Sequence, residues 1–297
     1  MNLVSGNVMS TKRKMNISKL CLSLIFVLLL ISCGKKSNTL EIKKGNHIVL
    51  IGNNLGSRMM NFGHFETELQ LRYPDSLLFI RNMCDGGNTP GFRPHSSRNS
   101  PWAFPGAEKF QTELAEPSGS IGHFETEDEW LNRLQADIII AFFGYNESFQ
   151  GKEGLENYKA ELHAFIKHTL NQKYNSETAP QLALVSPIAF ENLTAKMDLP
   201  DGMNENKNLE MYTQAMREVA EADSVLFVDA FEASEKWYTA EKKDLTADGF
   251  QLNDFGYQKL SKLLADQLFG KKKSKAEENR NLVHEAVMDK NLSLIHI

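Results

Sequence analysis

Apolar residues gather in five short runs separated by longer stretches of mixed character. The runs are residues 47–52 (HIVLIG), 77–81 (LLFIR), 137–143 (DIIIAFF), 182–186 (LALVS) and 225–229 (VLFVD). Each is short and rich in branched side chains, and residues 138–143 are apolar without interruption, as in a strand covered on both faces. Between them, residues 57–73, 155–173, 209–222 and 255–269 carry apolar positions at helical spacing. Pro74-Asp75 closes the first of these helices and Pro187 follows the fourth strand. Strands that alternate with helices predict an α/β three-layer fold with a five-stranded parallel sheet. In such a sheet ligands bind beyond the carboxyl ends of the strands, so the residues just after each run are the ones to read.

Residues 84–127 break the alternation. They hold Gly86-Gly87 and prolines 90, 94, 101, 105 and 117, and a loop of this length in a compact domain is usually functional or mobile. The amino-terminal region follows another logic. Lys12, Arg13, Lys14 and Lys19 precede the apolar residues 20–31, and then comes Ser32-Cys33-Gly34. That is a signal-peptide pattern, too short for a membrane span, and its end resembles a bacterial lipobox. The expected layout is a leader over 1–33, a tether over 34–46, one domain over 47–270 and a charged linker or tail over 271–297. Cys33 is expected to be acylated, placing an exported lipoprotein on a membrane.

Composition agrees with that layout. At 41% hydrophobic and 24% charged residues, the chain has enough apolar material for one ordinary core. Its net charge is −5, and loss of the leader's four basic side chains takes it to −9, so no nucleic-acid partner is expected. Cys21 lies in the leader and Cys33 at its end, leaving Cys84 alone with no intrachain disulfide to form. A lone cysteine at a strand end reads as a small apolar group.

The strand ends carry the chemistry. After the first run stands Gly52-Asn53-Asn54. After the second come Asp85-Gly86-Gly87-Asn88, after the third Gly144-Tyr145-Asn146-Glu147, and before the last helix Asp248-Gly249-Phe250-Gln251-Leu252-Asn253 with Gly256-Tyr257 beyond. Taken in order, these resemble the SGNH, or GDSL, hydrolase superfamily from residue 47 to about 269. The resemblance implies a nucleophilic serine where Asn54 stands, oxyanion donors at Gly87 and Asn146, an orienting acid at Asp248 and a histidine base where Gln251 stands. Carboxamides replace the two reacting groups. An amide neither attacks an ester usefully nor shuttles a proton near neutral pH. The expectation is therefore an esterase-like domain that binds a small-molecule or glycan ester, with Asn53, Asp85, Asn88 and Glu147 as further ligand contacts and no cofactor or metal.

Other readings stay open. Ser57 or Ser148 could serve as a relocated nucleophile with His64, His95 or His123 as base. The carboxylates Asp85, Glu147 and Asp248 could activate a water or hold a cation. Gly-His-Phe-Glu-Thr occurs at 63–67 and again at 122–126, offering two His/Glu pairs to a metal or, more simply, to local packing. Phrases such as AFFGYNES and VSPIA resemble the SGNH-like domain at the head of large exported bacterial proteins that carry haem-binding and dehydrogenase-like modules. That resemblance implies fusion to, or association with, such a module. The closing LSLIHI departs from it, and the chain is expected to be a truncated piece.

Overall fold

The computed structural model describes Met1 and residues 39–95, 98, 100–111 and 124–295. The leader with Cys33, the first part of the tether and His123 lie outside the described residues. Five parallel strands form one sheet: β1 (His47–Gly52), β2 (Phe79–Asn82), β3 (Ile138–Phe142), β4 (Gln181–Val185) and β5 (Leu226–Val228). The order across the sheet is β2-β1-β3-β4-β5. The register pairs Ile48 with Ile138 and Gly52 with Phe142 on one side of β1, and His47 with Phe79 on the other.

The unbroken apolar character of the central strands follows from burial on both faces. Ile48, Leu50, Ile138 and Ile140 face one core layer, and Val49, Ile51, Ile139 and Ala141 face the other, so successive side chains alternate between two dry compartments. Each Leu or Ile buried in this way contributes about 1.5–3 kcal/mol. The first layer is roofed by α2 (His64–Arg72) and α8 (Asp254–Phe269), the second by α5 (Leu155–Leu170) and α6 (Met203–Asp223). Four further helices are α1 (Asn54–Ser57), α3 (Glu127–Arg133), α4 (Tyr145–Ser148) and α7 (Ala230–Ala240).

Three local features depart from the sequence pattern. The helix expected over 57–73 is broken: α1 runs into a 3₁₀ turn at Arg58–Asn61, and Gly63 at φ 63° restarts the chain as α2. Residues 39–46, read as tether, are partly docked, because Leu40 is buried and its N–H donates to the Leu268 carbonyl at 2.7 Å. Within 271–297, read as linker or tail, α9 (Arg280–Ile295) packs on α2. Its amphipathic period is weak, so pattern alone did not reveal it; Arg280–Glu68, Lys290–Glu66 and Asn291 Nδ2 to the Met60 carbonyl hold it.

The described parts of the long loop are ordered by buried carboxylates. Glu161 on α5 accepts from Thr89 Oγ1 at 2.9 Å and from the Gly91 N–H at 3.0 Å. Glu127, at the start of α3, pairs with Arg93 at 3.3 Å and Arg98 at 3.0 Å. Buried charges held in this way fix the loop where apolar contacts alone would not.

Candidate functional site

Strand order reverses between β2-β1 and β1-β3, so the chain leaves β1 and β3 in diverging directions and opens a crevice at their carboxyl ends. Gly52 makes the turn out of β1 possible. Its φ is 117°, and a Cβ there would lie 2.0 Å from the Phe142 carbonyl oxygen, which no side chain tolerates. The Asn53 N–H continues the ladder by donating to that same carbonyl at 2.9 Å. The Asn53 Oδ1 then caps α1 by accepting from the Leu55 N–H at 3.2 Å. Both Asn53 and Asn54 line the cleft, but Asn53 is buried with its side chain committed to the backbone, whereas Asn54 is half-buried. Among the described residues the Asn54 carboxamide makes no side-chain hydrogen bond.

Gln251 lines the cleft from the loop before α8, and Asp248, which is not part of the lining, holds it. Asp248 Oδ1 accepts from the backbone N–H groups of Phe250 and Gln251 at 3.2 and 2.8 Å. Its Oδ2 accepts from Gln251 Nε2 at 2.9 Å. An ionised carboxylate only accepts, so the Gln251 –NH₂ must turn toward Asp248 and its Oε1 away from it. The carboxamide thus occupies the orienting frame that an acid offers an imidazole, and presents an acceptor where an imidazole would present a basic nitrogen.

Asp85, Gly87, Asn88 and Asn146, expected at the site, follow β2 and β3 and are not part of the cleft wall. Asn146 Nδ2 donates to the Asn88 carbonyl at 2.9 Å, and Asn88 Nδ2 donates to the Gly52 carbonyl at 3.2 Å. The three strand ends are thereby tied together, and Asn146 keeps one N–H to spare. Gly87 stands at φ 83° in an exposed turn and has open space where a Cβ would sit, so conformation and not room selects glycine there. Asp85 is exposed, its Oδ1 accepting from the Gly86 N–H at 2.8 Å. Glu147, considered as a ligand contact, is buried beneath its turn and caps it through Gly144 N–H to Oε2 at 2.8 Å. Burial first, and the charge of Glu161 second, push the Glu147 carboxyl up to about 8. It is largely protonated at neutral pH and does not line the cleft.

Sequence reading missed the rest of the lining. Arg58, Tyr145, Phe250 and Tyr257 join Asn54 and Gln251 around a cleft of about 20 Å³, room for about one water-sized group. All four were within reach of the motifs: Arg58 lies one helical turn after Asn54, Tyr145 and Phe250 fill variable places inside the later motifs, and Tyr257 is itself a matched position of the last one. Tyr145 and Phe250 stack at 5.4 Å with their planes 16° apart, and exposed Phe149 meets Tyr145 edge-on.

The alternative groups are elsewhere. Ser57 is not part of the cleft wall, and Ser148 is buried with its hydroxyl donating to the Tyr145 carbonyl at 2.7 Å. His64 pairs with Asp254 at 2.7 Å and stacks on His284, while His95 stacks on Phe124. Among the described residues no group of three or more His, Cys, Asp or Glu side chains is placed to hold a metal. Burial pushes the Cys84 thiol well up, which disfavours a reactive thiolate.

This architecture and crevice define an α/β domain of the SGNH-hydrolase kind. The pattern of the GDSL-like Lipase/Acylhydrolase family matches residues 94–259, and the chain belongs to that family. The matched span includes Asn146, Asp248 and Gln251 and begins after Asn54 and Gly87. Among solved structures, a putative GDSL-like lipase from Parabacteroides merdae is similar at TM-score 0.54 and 14% identity, over 78% of this chain and 100% of that one. A catalytic mutant of Axe2, an acetylxylan esterase from Geobacillus stearothermophilus, is similar at TM-score 0.52 and 16% identity, over 77% and 96%. LAE5, an alpha/beta hydrolase enzyme from the metagenome of Lake Arreo, gives TM-score 0.51 and 15% identity over 77% and 97%. No curated protein sequence matches the chain.

Proposed function

We propose that this domain is a non-hydrolysing member of its family whose cleft binds an acylated or carbohydrate ligand. The observation that carries this reading is the Asp248–Gln251 pair, a 2.9 Å hydrogen bond in which a carboxamide takes the place of the base, with Asn54 in place of the nucleophile. Neither group moves a proton near neutral pH, yet both offer donors and acceptors to hydroxyl and carbonyl groups. Stacked Tyr145 and Phe250 beside them suit the apolar face of a sugar ring. An acetylxylan esterase among the similar folds is in keeping with that ligand class.

The test is hydrolysis of aryl acetates by the purified domain beside an Asp248→Ala control. Equal rates are expected, and a wild-type rate tenfold above the control overturns the reading. The domain is further proposed to be exported and held on a membrane through acylated Cys33. Metabolic labelling with a palmitate analogue should mark the wild type and not Cys33→Ser; equal labelling removes this part of the proposal.

A further inference from the structure

Arg58 is the one cation on the cleft wall among the described residues, and nothing in the esterase frame calls for it. Its side chain is half-buried, and its Nε is fully buried with no hydrogen-bond acceptor. Among the described residues no carboxylate pairs with it. Its guanidinium lies 5.9 Å from the Phe62 ring centroid, and it shares the cleft wall with Tyr257, whose hydroxyl donates to the Leu55 carbonyl at 3.0 Å; both are neutral groups. The other half-buried or buried arginines of the core region each have a carboxylate: Arg72 has Glu68 and Asp266, Arg93 and Arg98 share Glu127, and Arg217 has Asp229. A desolvated guanidinium normally acquires such a partner, so Arg58 stands out as a charge and a donor left over.

Charges of both signs act on the hydroxyls of the cleft wall. Burial, and then the charges of Asp248 and Glu205, push the Tyr145 hydroxyl up to about 12. Tyr257 is raised by burial, and the Arg58 charge opposes that rise. Asn54, whose carboxamide makes no side-chain hydrogen bond among the described residues, and Gln251 share the same wall. Negative charge near Tyr145 suits hydroxyl donors, and a guanidinium with no carboxylate partner among the described residues suits a carboxylate.

Resting on the binding role argued above, we infer that the cleft takes a carboxylate-bearing saccharide, with the uronate-type carboxyl at Arg58 and the sugar ring over Tyr145 and Phe250. The cleft admits a single small group, so the carboxylate enters and the ring stays at the aromatic mouth. A neutral ligand would leave the guanidinium as unpaired as it is now.

Calorimetric titration of the whole domain with trigalacturonate and with its carboxyl-reduced counterpart tests this. The acidic trisaccharide is expected to bind at least tenfold more tightly, the preference shrinking as salt rises, and Arg58→Gln is expected to remove the preference. Equal binding of the two saccharides by the wild type, or an unchanged preference in a folded Arg58→Gln, overturns the inference and leaves the binding role standing. Binding of neither overturns both. The wild-type comparison decides the matter even if Arg58→Gln does not fold.

Discussion

At the scale of single residues, the site separates groups whose hydrogen bonds hold the turns from groups left open to the cleft. Asn53, Asn88 and Glu147 carry the motif positions yet spend their hydrogen bonds on backbone. Asn54, Arg58 and Gln251 keep donors or acceptors for the cleft. Glu147 shows the consequence in titration. Unfolded, its carboxyl ionises in the ordinary range near 4.5, whereas burial holds it protonated to about 8 in the fold. Between those values the folded chain retains a proton that the unfolded chain has lost, so stability falls as pH rises through the window. The difference is on the order of a few kcal/mol. Glu147→Gln keeps an acceptor for the Gly144 N–H and has no charge to bury. Thermal melts from pH 5 to pH 8 should therefore show the wild type losing stability relative to the variant; a constant gap between the two would contradict this account of Glu147.

At the scale of elements, the strands were legible because a sheet covered on both faces demands unbroken apolar runs, and β1 and β3 supply them. The helices were legible only where one face carried the core. α7 and α9 escaped for different reasons: α7 follows β5 directly behind the Asp229 cap, and α9 has no clear apolar stripe. Its hold on the domain is polar and local. Lys290 meets Glu66, Arg280 meets Glu68 at 2.7 Å, and Val287 and Asn291 are buried. Neither core layer draws on α9, so the sheet does not depend on it. It does cover a cavity of about 500 Å³ walled by Met59, Phe65, Ile80, Trp130 and Leu294. Truncation after Gly270 is expected to leave a folded domain that melts lower by roughly 5–10 °C. An apolar dye should gain fluorescence on the truncated form as those side chains open to water. A truncated chain with no cooperative melt would show that α9 belongs to the folding unit itself.

At the scale of the whole molecule, the cleft is built from segments nearly two hundred residues apart, Asn54 after β1, Tyr145 after β3 and Gln251 before α8. Sequence order alone placed all three at strand or helix ends, because each sits inside a motif whose glycines and cap residues are needed by the turn. Whether their side chains meet depends on strand order and on how the turns tilt, which residue spacing does not encode. Arg58 and the aromatic mouth lay within reach of the motifs, but that they line one cleft was not legible for that reason. The assembled geometry also says what restoration must do. Serine at position 54 would bring a hydroxyl to the end of the turn where Asn54 now faces the cleft. Histidine at 251 would find Asp248 Oδ2 already placed to hold its Nδ1, as it now holds Gln251 Nε2 at 2.9 Å. Either change alone leaves a nucleophile without a base or a base without a nucleophile. Asn54→Ser with Gln251→His should therefore hydrolyse aryl acetates on the order of 10²–10⁴ times faster than either single variant, the range that a positioned general base supplies. That gain should disappear when Asp248→Ala is added. A folded double variant as slow as the singles would mean that Asn54 and Gln251 do not share a reacting centre, and that the cleft has been reshaped for binding beyond the two side chains.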